Sequence, residues 1–155
     1  MHKVECESKM STNQVTVRLC RNFQFVGFDD KGHAVVLDAD PPHGEGTGMR
    51  PMDMLIVSLG VCTGMDVVQG LRKLGQKLSN LEIKVSGEKN EKLPHYYKKI
   101  FVHYKVWGEN IDKESFEKVV RDSEELFCSV GATLKGKAEI VTSYEILNPS
   151  EKNQR

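Results

Sequence analysis

Apolar and polar residues alternate along three segments in the first third of the chain, which is the pattern of half-buried β-strands. These segments are residues 14–20, 23–28 and 34–38, and the turn-forming residues 29–32 (DDKG) predict a hairpin between the second and the third. Residues 39–50 contain several prolines and glycines and show no periodicity. They predict a surface loop, and such loops often border functional sites.

A long helix is predicted over residues 51–74. Pro51 suits the first turn of a helix, where its missing N–H costs nothing, and Gly75 suits its end. Residues spaced alternately by four and three positions lie on one face of this helix, and they are Leu55, Leu59, Cys62, Asp66 and Gln69. The first half of the helix is apolar all round, which predicts burial on most sides.

The alternating pattern returns in residues 81–87, 97–107 and 138–147, which predicts three further strands. Between the last two, Asp112 is the expected N-cap of a helix over residues 113–126, and residues 129–134 predict a second, shorter helix. The inner face of the first of these helices is predicted to consist of Phe116, Val119, Val120, Ser123 and Phe127.

The element order is therefore βββ-α-ββ-α-α-β, which predicts a single α+β domain over residues 13–148. A flexible N-terminal segment (residues 1–12) and a C-terminal tail (residues 149–155) are expected to flank it. The long helix has to bury two faces, whereas one small sheet covers only one. A second subunit is the natural cover, so the sequence predicts a homodimer.

Composition and charge restrict which kinds of partner and which cellular location are expected for the protein. The chain of 155 residues is 39% hydrophobic and 28% charged, and it has 22 basic and 22 acidic residues. A protein with a net charge of zero lacks the positive electrostatic potential that nucleic-acid binding needs. The N-terminal residues are polar and lack the apolar segment of a signal peptide. The longest uncharged segment, residues 54–65, is too short to span a bilayer. We therefore expect a cytoplasmic protein with no membrane partner.

The four cysteines lie far apart, at Cys6, Cys20, Cys62 and Cys128, and none belongs to a CxxC motif. A structural zinc site is therefore not expected, and a reducing cytosol disfavours permanent disulfides. An ordinary thiol with a pKa of about 8.5 is only about 3% ionised at neutral pH, so a reactive cysteine needs a special environment. Cys128 lies between two predicted helices, and the start of a helix favours the thiolate.

Cys62 lies inside the long helix, with Gly60 and Gly64 two residues to either side. Glycine inside a helix costs up to about 1 kcal/mol, so two of them need a reason. Either another backbone or a substrate approaches closely at Cys62, or the helix packs tightly around a buried thiol. Both interpretations stay open at this point.

The segments 51–55 (PMDML) and 58–68 (SLGVCTGMDVV) resemble the signature of the OsmC/Ohr family, whose members include osmotically inducible and organic hydroperoxide resistance proteins. The second matching element is CSV at residues 128–130, followed by a closing strand that contains SYE at residues 143–145. The element order is also similar, and the resemblance covers roughly residues 15–147. It is closer to the divergent OsmC-like branch than to the hydroperoxide-resistance branch.

The resemblance implies an OsmC-like fold, in which small antiparallel sheets pack on a long central helix in an intertwined homodimer with active sites at the subunit interface. It also implies a thiol peroxidase that reduces organic hydroperoxides in oxidative-stress defence. Cys62 is then the peroxidatic residue, and Cys128 condenses with its sulfenic acid to a disulfide. An external dithiol resets the pair, and no metal or organic cofactor is needed.

One position departs from the hydroperoxide-resistance branch, which carries a glutamate directly after the helix-start proline. Here that position is Met52, and the nearest acid is Asp53, where the divergent branch places its acid. We therefore expect Asp53 to be the acidic residue of the site. The family's arginine is not assigned, because no motif surrounds the arginines in the first part of the chain, Arg18, Arg21 and Arg50.

Two other functions stay open. A binding module that kept the fold without efficient peroxidase activity could hold a small apolar ligand, and the departure at Met52 favours it. A cysteine-dependent acyl transferase or hydrolase would need a basic partner, for which His43 and His95 are candidates. Asp66, one turn after Cys62, would raise the pKa of that thiol if close, or else cap or pair with a neighbour. Cys6 and Cys20 are expected to be bystanders.

Overall fold

The structure is a computed structural model, and it describes residues 12–151. The predicted order of strands and helices is confirmed, with a π turn added between the last two helices. The elements are β1 Val15–Arg21, β2 Gln24–Asp29, β3 Ala34–Leu37, α1 Pro51–Lys73, β4 Lys77–Lys89, β5 Tyr97–Glu109, α2 Lys113–Asp122, the π turn Ser123–Phe127, α3 Ser129–Leu134, β6 Glu139–Leu147 and a 3₁₀ turn Pro149–Glu151.

The chain divides into two compact units, of which the first ends at Pro51 and the second begins at Met52. The assignment of residues 13–148 to one domain stays a prediction. Cys6 and most of the predicted N-terminal segment lie outside the described residues, as does the end of the predicted C-terminal tail. The described part of that tail forms the 3₁₀ turn.

The first unit contains an antiparallel sheet in the order β1-β2-β3. The predicted hairpin is confirmed, because β2 and β3 are joined by a turn in which the Asp29 carboxylate accepts hydrogen bonds from the N–H groups of Lys31 and His33. The expectation that the first strand is half-buried is wrong, since every residue of β1 is exposed. Alternation marks a strand with two different faces, but it does not guarantee that a second layer covers the apolar one.

The predicted surface loop after β3 is organised around a buried carboxylate. Asp38 is only 2% exposed, and it accepts hydrogen bonds from the N–H groups of Ala39, Glu45 and Thr47 and from the Thr47 hydroxyl. A buried carboxylate with this many donors is well satisfied. It therefore explains how a loop without periodicity keeps one conformation.

The second unit contains a sheet in the order β4-β5-β6. β4 and β5 are antiparallel, but β5 and β6 are parallel, with Val102 opposite Thr142 and Tyr104 opposite Tyr144. The expectation of purely antiparallel sheets is therefore wrong for this pair. The physical reason is the connection, because α2, the π turn and α3 form a crossover that returns the chain to the same end of the sheet.

The core of the second unit is built from α1, α2 and the inner face of this sheet. Its largest fully buried side chains include Leu71 of α1, Ile100 and Tyr104 of β5, and Phe116 of α2. The ring of Phe116 lies 6.0 Å from that of Tyr104 and 4.9 Å from that of Tyr144, measured between centroids. Tilted aromatic pairs at these distances are favourable. The core thus fixes α1 and α2 on one side of β5.

One face of α1 is buried in the second unit, and the cover of its other face by a second subunit stays a prediction. The buried residues are Leu59, Gly60, Thr63, Gly64, Val67 and Leu71. The opposite face is apolar but exposed, and Met65, for example, is 67% exposed. The helix is long and apolar enough to cross a membrane by length and composition. Its packing in the core of the second unit identifies it instead as a core helix.

The glycines beside Cys62 are explained by packing against the sheet. A Cβ atom on Gly60 would lie 2.9 Å from Val85 Cγ2, and one on Gly64 would lie 2.8 Å from Ile83 Cδ1. Both distances are shorter than real Cβ contacts. The glycines therefore let α1 approach β4, which supports tight packing over a close approach of substrate.

Candidate functional site

The structure brings Cys62 and Cys128 together, although they belong to different helices. The Cys62 thiol lies near enough to Cys128 to help raise the pKa of that thiol. Cys62 is half-buried on α1, whereas Cys128 is only 4% exposed. Both cysteines contact the hydrophobic core of the second unit. One cysteine is therefore partly accessible to solvent, and the other is buried.

The π turn explains why Cys128 faces inwards. In a continuous α-helix, the residue four positions after Ser123 would share its inner face, and that residue is Phe127. In the π turn, the N–H of Cys128 instead donates to the Ser123 carbonyl oxygen at 2.8 Å, five positions back. Phe127 is consequently 62% exposed, and Cys128 takes the buried position. The expectation that Phe127 belongs to the inner face is thus wrong.

Cys128 is the N-cap residue of α3, as the sequence predicted for a helix start at this point. The N–H of Gly131 donates a hydrogen bond to Cys128 Sγ at 3.3 Å. This bond favours the thiolate, as expected for a helix start, but burial disfavours the thiolate more strongly, and the neighbouring Cys62 thiol adds to the effect of burial. The pKa of Cys128 is raised to about 11. The contribution of the helix start is therefore present but outweighed.

This raised pKa predicts how Cys128 reacts with an alkylating agent. Because the thiol form persists below a pH of about 11, alkylation of Cys128 by iodoacetamide should stay slow through pH 9 in the folded, reduced protein. It should accelerate only as the pH rises towards 11. Quenched alkylation followed by peptide mass spectrometry measures this, and the exposed Cys20 is the internal control. Equal rates at Cys128 and Cys20 at pH 8 would contradict the assignment.

A buried chain of hydrogen bonds lies directly beside the two cysteines. Ser123 Oγ donates to Asp66 Oδ2 at 2.7 Å, Thr63 Oγ1 lies 3.0 Å from Ser123 Oγ, and the Tyr104 hydroxyl lies 2.5 Å from Thr63 Oγ1. We refer to Tyr104, Thr63, Ser123 and Asp66 as the hydrogen-bond chain. Burial raises the pKa of Tyr104 to about 12, so its hydroxyl keeps its proton at neutral pH.

The sequence did not reveal this hydrogen-bond chain. Asp66 was expected to act on the Cys62 thiol, to cap, or to pair with a neighbour, and the structure shows that it accepts a hydrogen bond from Ser123 in the same chain. Ser123 was predicted only as a position on the inner face of a helix, and no pattern in the sequence links it to Thr63 or Tyr104. The available signal was Ser123 itself, because a hydroxyl on an otherwise apolar inner face needs a buried partner.

The surroundings of the pair restrict the direction from which a substrate can approach. Behind Cys128 there is a cavity of about 20 Å³, lined among others by Tyr104, Glu124, Lys135 and Thr142. This volume has room for about one water molecule and not for an organic substrate. The exposed apolar side of α1 lies at Cys62, so a substrate has to reach Cys62 from that side.

The other candidate residues lie elsewhere. Asp53 is half-buried in the first turn of α1, about 13 Å along the helix axis from Cys62, so its role stays a prediction. Arg21 and Arg50 form ion pairs with Glu45 and Asp40 in the first unit. The guanidinium of Arg18 lies over the ring of Phe28.

The two histidines that were candidates for activating a cysteine have other contacts. His95 Nδ1 lies 2.9 Å from the Asn90 carbonyl oxygen, and the ring of His43 lies near that of Phe23. Within residues 12–151, no group of three or more His, Cys, Asp or Glu side chains is arranged to hold a metal ion.

Comparisons with known proteins agree with the fold. Residues 44–143 match the family described as OsmC-like protein. The chain is 28% identical over 134 residues to protein YhfA of Escherichia coli K12, an alignment that covers 86% of this chain and 98% of that protein. It is also similar to the crystal structure of a hypothetical protein from Aquifex aeolicus VF5, with a TM-score of 0.80, 28% identity and coverage of 90% and 98%.

A more distant structure comes from Legionella pneumophila and is described as an organic hydroperoxide resistance protein OsmC and predicted redox protein. Its TM-score is 0.65 at 15% identity, and the match covers 88% of this chain and 98% of that one. At this level of identity the similarity shows the fold alone.

Proposed function

The chain belongs to the OsmC-like family, and from this premise we propose that it reduces organic hydroperoxides through Cys62 and Cys128. The observation that carries the proposal is that these two thiols, which come from distant parts of the sequence, lie at the same core and interact electrostatically. Two neighbouring cysteines, one partly accessible and one buried, suit a reaction through a sulfenic acid and a disulfide.

In the first step, the Cys62 thiolate attacks the terminal oxygen of the hydroperoxide. The O–O bond breaks, Cys62 becomes a sulfenic acid, and the organic group leaves as an alkoxide that takes a proton to give the alcohol. Cys62 has this role because its sulfur is the more accessible of the two. Cys128 is unsuited to it, since its raised pKa keeps it protonated and burial shields it.

In the second step, the Cys128 sulfur attacks the Cys62 sulfenic acid, the new S–S bond forms, and water leaves. The proximity of the two thiols, seen in the effect of Cys62 on the pKa of Cys128, supports this step. An external dithiol then reduces the disulfide by two exchange steps and is itself oxidised. The electrons therefore come from thiols throughout, and the proposed reaction needs no metal or organic cofactor.

The proposed active form is a homodimer in the cytoplasm. The exposed face of α1 carries Val57, Val61 and Met65, and the π turn adds the exposed side chains of Leu126 and Phe127. Apolar patches of this kind on a protein surface mark interaction sites. A second copy is the proposed occupant, because a helix face can pair with itself about a twofold axis. Such a dimer encloses the side from which Cys62 is reached.

A second candidate function is binding of a small apolar ligand without efficient peroxidase activity. A cavity of about 310 Å³ in the second unit favours it, and its lining combines the apolar side chains of Leu74, Val119 and Phe127 with the charged ones of Asp66, Lys73, Lys118 and Asp122. This volume is at the lower end of the range for small-molecule sites. The presence of Met52, where the hydroperoxide-resistance branch has a glutamate, also favours the ligand-binding function.

Turnover separates the two functions. With dithiothreitol as reductant, the wild-type protein should consume cumene hydroperoxide and release cumyl alcohol over many cycles, and a Cys20→Ser variant should do so at the same rate. A ligand-binding protein would show no consumption above the rate with dithiothreitol alone. That outcome would overturn the proposed peroxidase and leave the binding function.

A further inference from the structure

The segment that carries Cys128 is held against α1 by buried polar contacts and not by apolar packing alone. Ser123, the first residue of the π turn, is 0% exposed, and its carbonyl oxygen accepts the N–H of Cys128. On the other side, its hydroxyl meets Asp66 and Thr63, which both belong to α1. Thr63 directly follows Cys62. Ser123 thus links the backbone of one cysteine to the helix of the other.

The donor of each bond in the hydrogen-bond chain is fixed by the carboxylate at its end. A carboxylate accepts only, so the proton of the Ser123 hydroxyl is committed to Asp66. Ser123 must then accept from Thr63, and Thr63 must accept from the Tyr104 hydroxyl. The hydrogen-bond chain therefore ends on Asp66 as its final acceptor. Removing Asp66 or Ser123 leaves a buried donor without an acceptor, and this lowers the free energy of unfolding.

A π turn depends on such contacts more than an α-helix does. It is rare and occurs mostly as a single-turn insertion, often at functional sites. Here it decides that Cys128 rather than Phe127 faces inwards. A return to regular α-helix would turn Phe127 towards the inner face and rotate the Cys128 sulfur by about 100°.

We propose that Asp66 and Ser123 are positioning residues, which fasten the π turn to α1 and thereby set the rate at which Cys62 and Cys128 close to a disulfide. The inference rests on the proposed function for its biological meaning. The closure step itself can be measured without hydroperoxide. Asp66 and Ser123 act through Cys128, and neither takes part in the attack of Cys62 on its oxidant.

The experiment uses 4,4′-dithiodipyridine on the full chain carrying Cys6→Ser and Cys20→Ser. In a first phase, Cys62 attacks the reagent, forms a mixed disulfide and releases one thiopyridone. In a second phase, Cys128 displaces the remaining thiopyridone from Cys62, and the S–S bond between the cysteines forms. Stopped-flow absorbance of thiopyridone reports both phases, so attack at Cys62 and closure are resolved in one trace.

Ser123→Ala should leave the first phase unchanged and slow the second about tenfold or more, the effect of one lost buried hydrogen bond. Asp66→Asn keeps an acceptor oxygen but loses its charge, which weakens the bond with Ser123 and also removes a charge that raises the pKa of Cys128, so it should slow the second phase by less. Asp122→Asn is the matched control, because Asp122 pairs with Lys118 at the neighbouring position and should leave both phases unchanged. Under cumene hydroperoxide, Ser123→Ala should also accumulate more dimedone-reactive sulfenic acid.

Ile100→Ala tests whether a loss of stability by itself slows the second phase. This variant truncates a fully buried side chain of β5 that lies outside the hydrogen-bond chain. The inference is overturned if Ser123→Ala and Asp66→Asn close as fast as the parent protein, or if Ile100→Ala slows the second phase as much as Ser123→Ala. If the wild-type protein fails to reduce hydroperoxide, the proposed function is overturned, while the second phase still decides this inference on its own.

Discussion

Replacing Cys62 with serine is expected to reduce hydroperoxide consumption to the rate of the reductant alone. A serine hydroxyl at this position cannot form the sulfenic acid through which the oxidising equivalents pass. Cys128 cannot take over, because it is buried and its pKa of about 11 keeps it protonated at neutral pH. The measurement is turnover of cumene hydroperoxide with dithiothreitol, compared with wild-type protein at equal concentration.

Two further variants sharpen this expectation. Cys128→Ser should still react once with hydroperoxide, but its sulfenic acid should persist and be trapped by dimedone, since no second thiol is in contact with it. Cys20→Ser, at an exposed position in β1, should behave as wild type. Wild-type turnover in Cys62→Ser would show that another residue is the nucleophile.

Oxidation is expected to raise the thermal stability of the protein strongly. A disulfide between Cys62 and Cys128 closes a long loop, and in the chain-entropy model this constrains the unfolded chain by about 4 kcal/mol. For a domain of this size, that corresponds to an increase in Tm of about 8–16 °C. Differential scanning calorimetry of the protein after one equivalent of cumene hydroperoxide, and again after reduction with excess dithiothreitol, measures the difference.

The control for this experiment is Cys128→Ser treated in the same way, which should show no increase in Tm because it cannot form the bond. Native mass spectrometry verifies that the wild-type sample has lost two hydrogen atoms. A verified disulfide with no rise in Tm would contradict the expectation that the closed loop stabilises the protein.

The secondary structure could be predicted from the sequence because its signals are local. Strand alternation, Pro51 at the start of α1 and Asp112 at the start of α2 depend on neighbouring residues, and the structure has these elements. The direction of β6 was not predictable in the same way. It depends on which end of the sheet the chain reaches after α3, and that is a property of the whole crossover.

The candidate site could be predicted less completely. The motif around Cys62 and Cys128 pointed to the pair, and in the structure the Cys62 thiol is near enough to affect the pKa of Cys128. The π turn gave no sequence signal, because it exists through the buried partners of Ser123 and not through helix propensity. The raised pKa of Cys128 could not be predicted for a related reason, since the helix start is visible in the sequence but burial, which outweighs it, is not.

The most direct test of the redox pair is peptide mapping after treatment with one equivalent of cumene hydroperoxide. Free thiols are alkylated, the protein is digested without reduction, and cross-linked peptides are identified by mass spectrometry. We predict rapid loss of two thiols and one linked pair containing Cys62 and Cys128, absent from Cys62→Ser. Persistence of Cys62 as a free, alkylatable thiol under a mild excess of hydroperoxide would contradict the account.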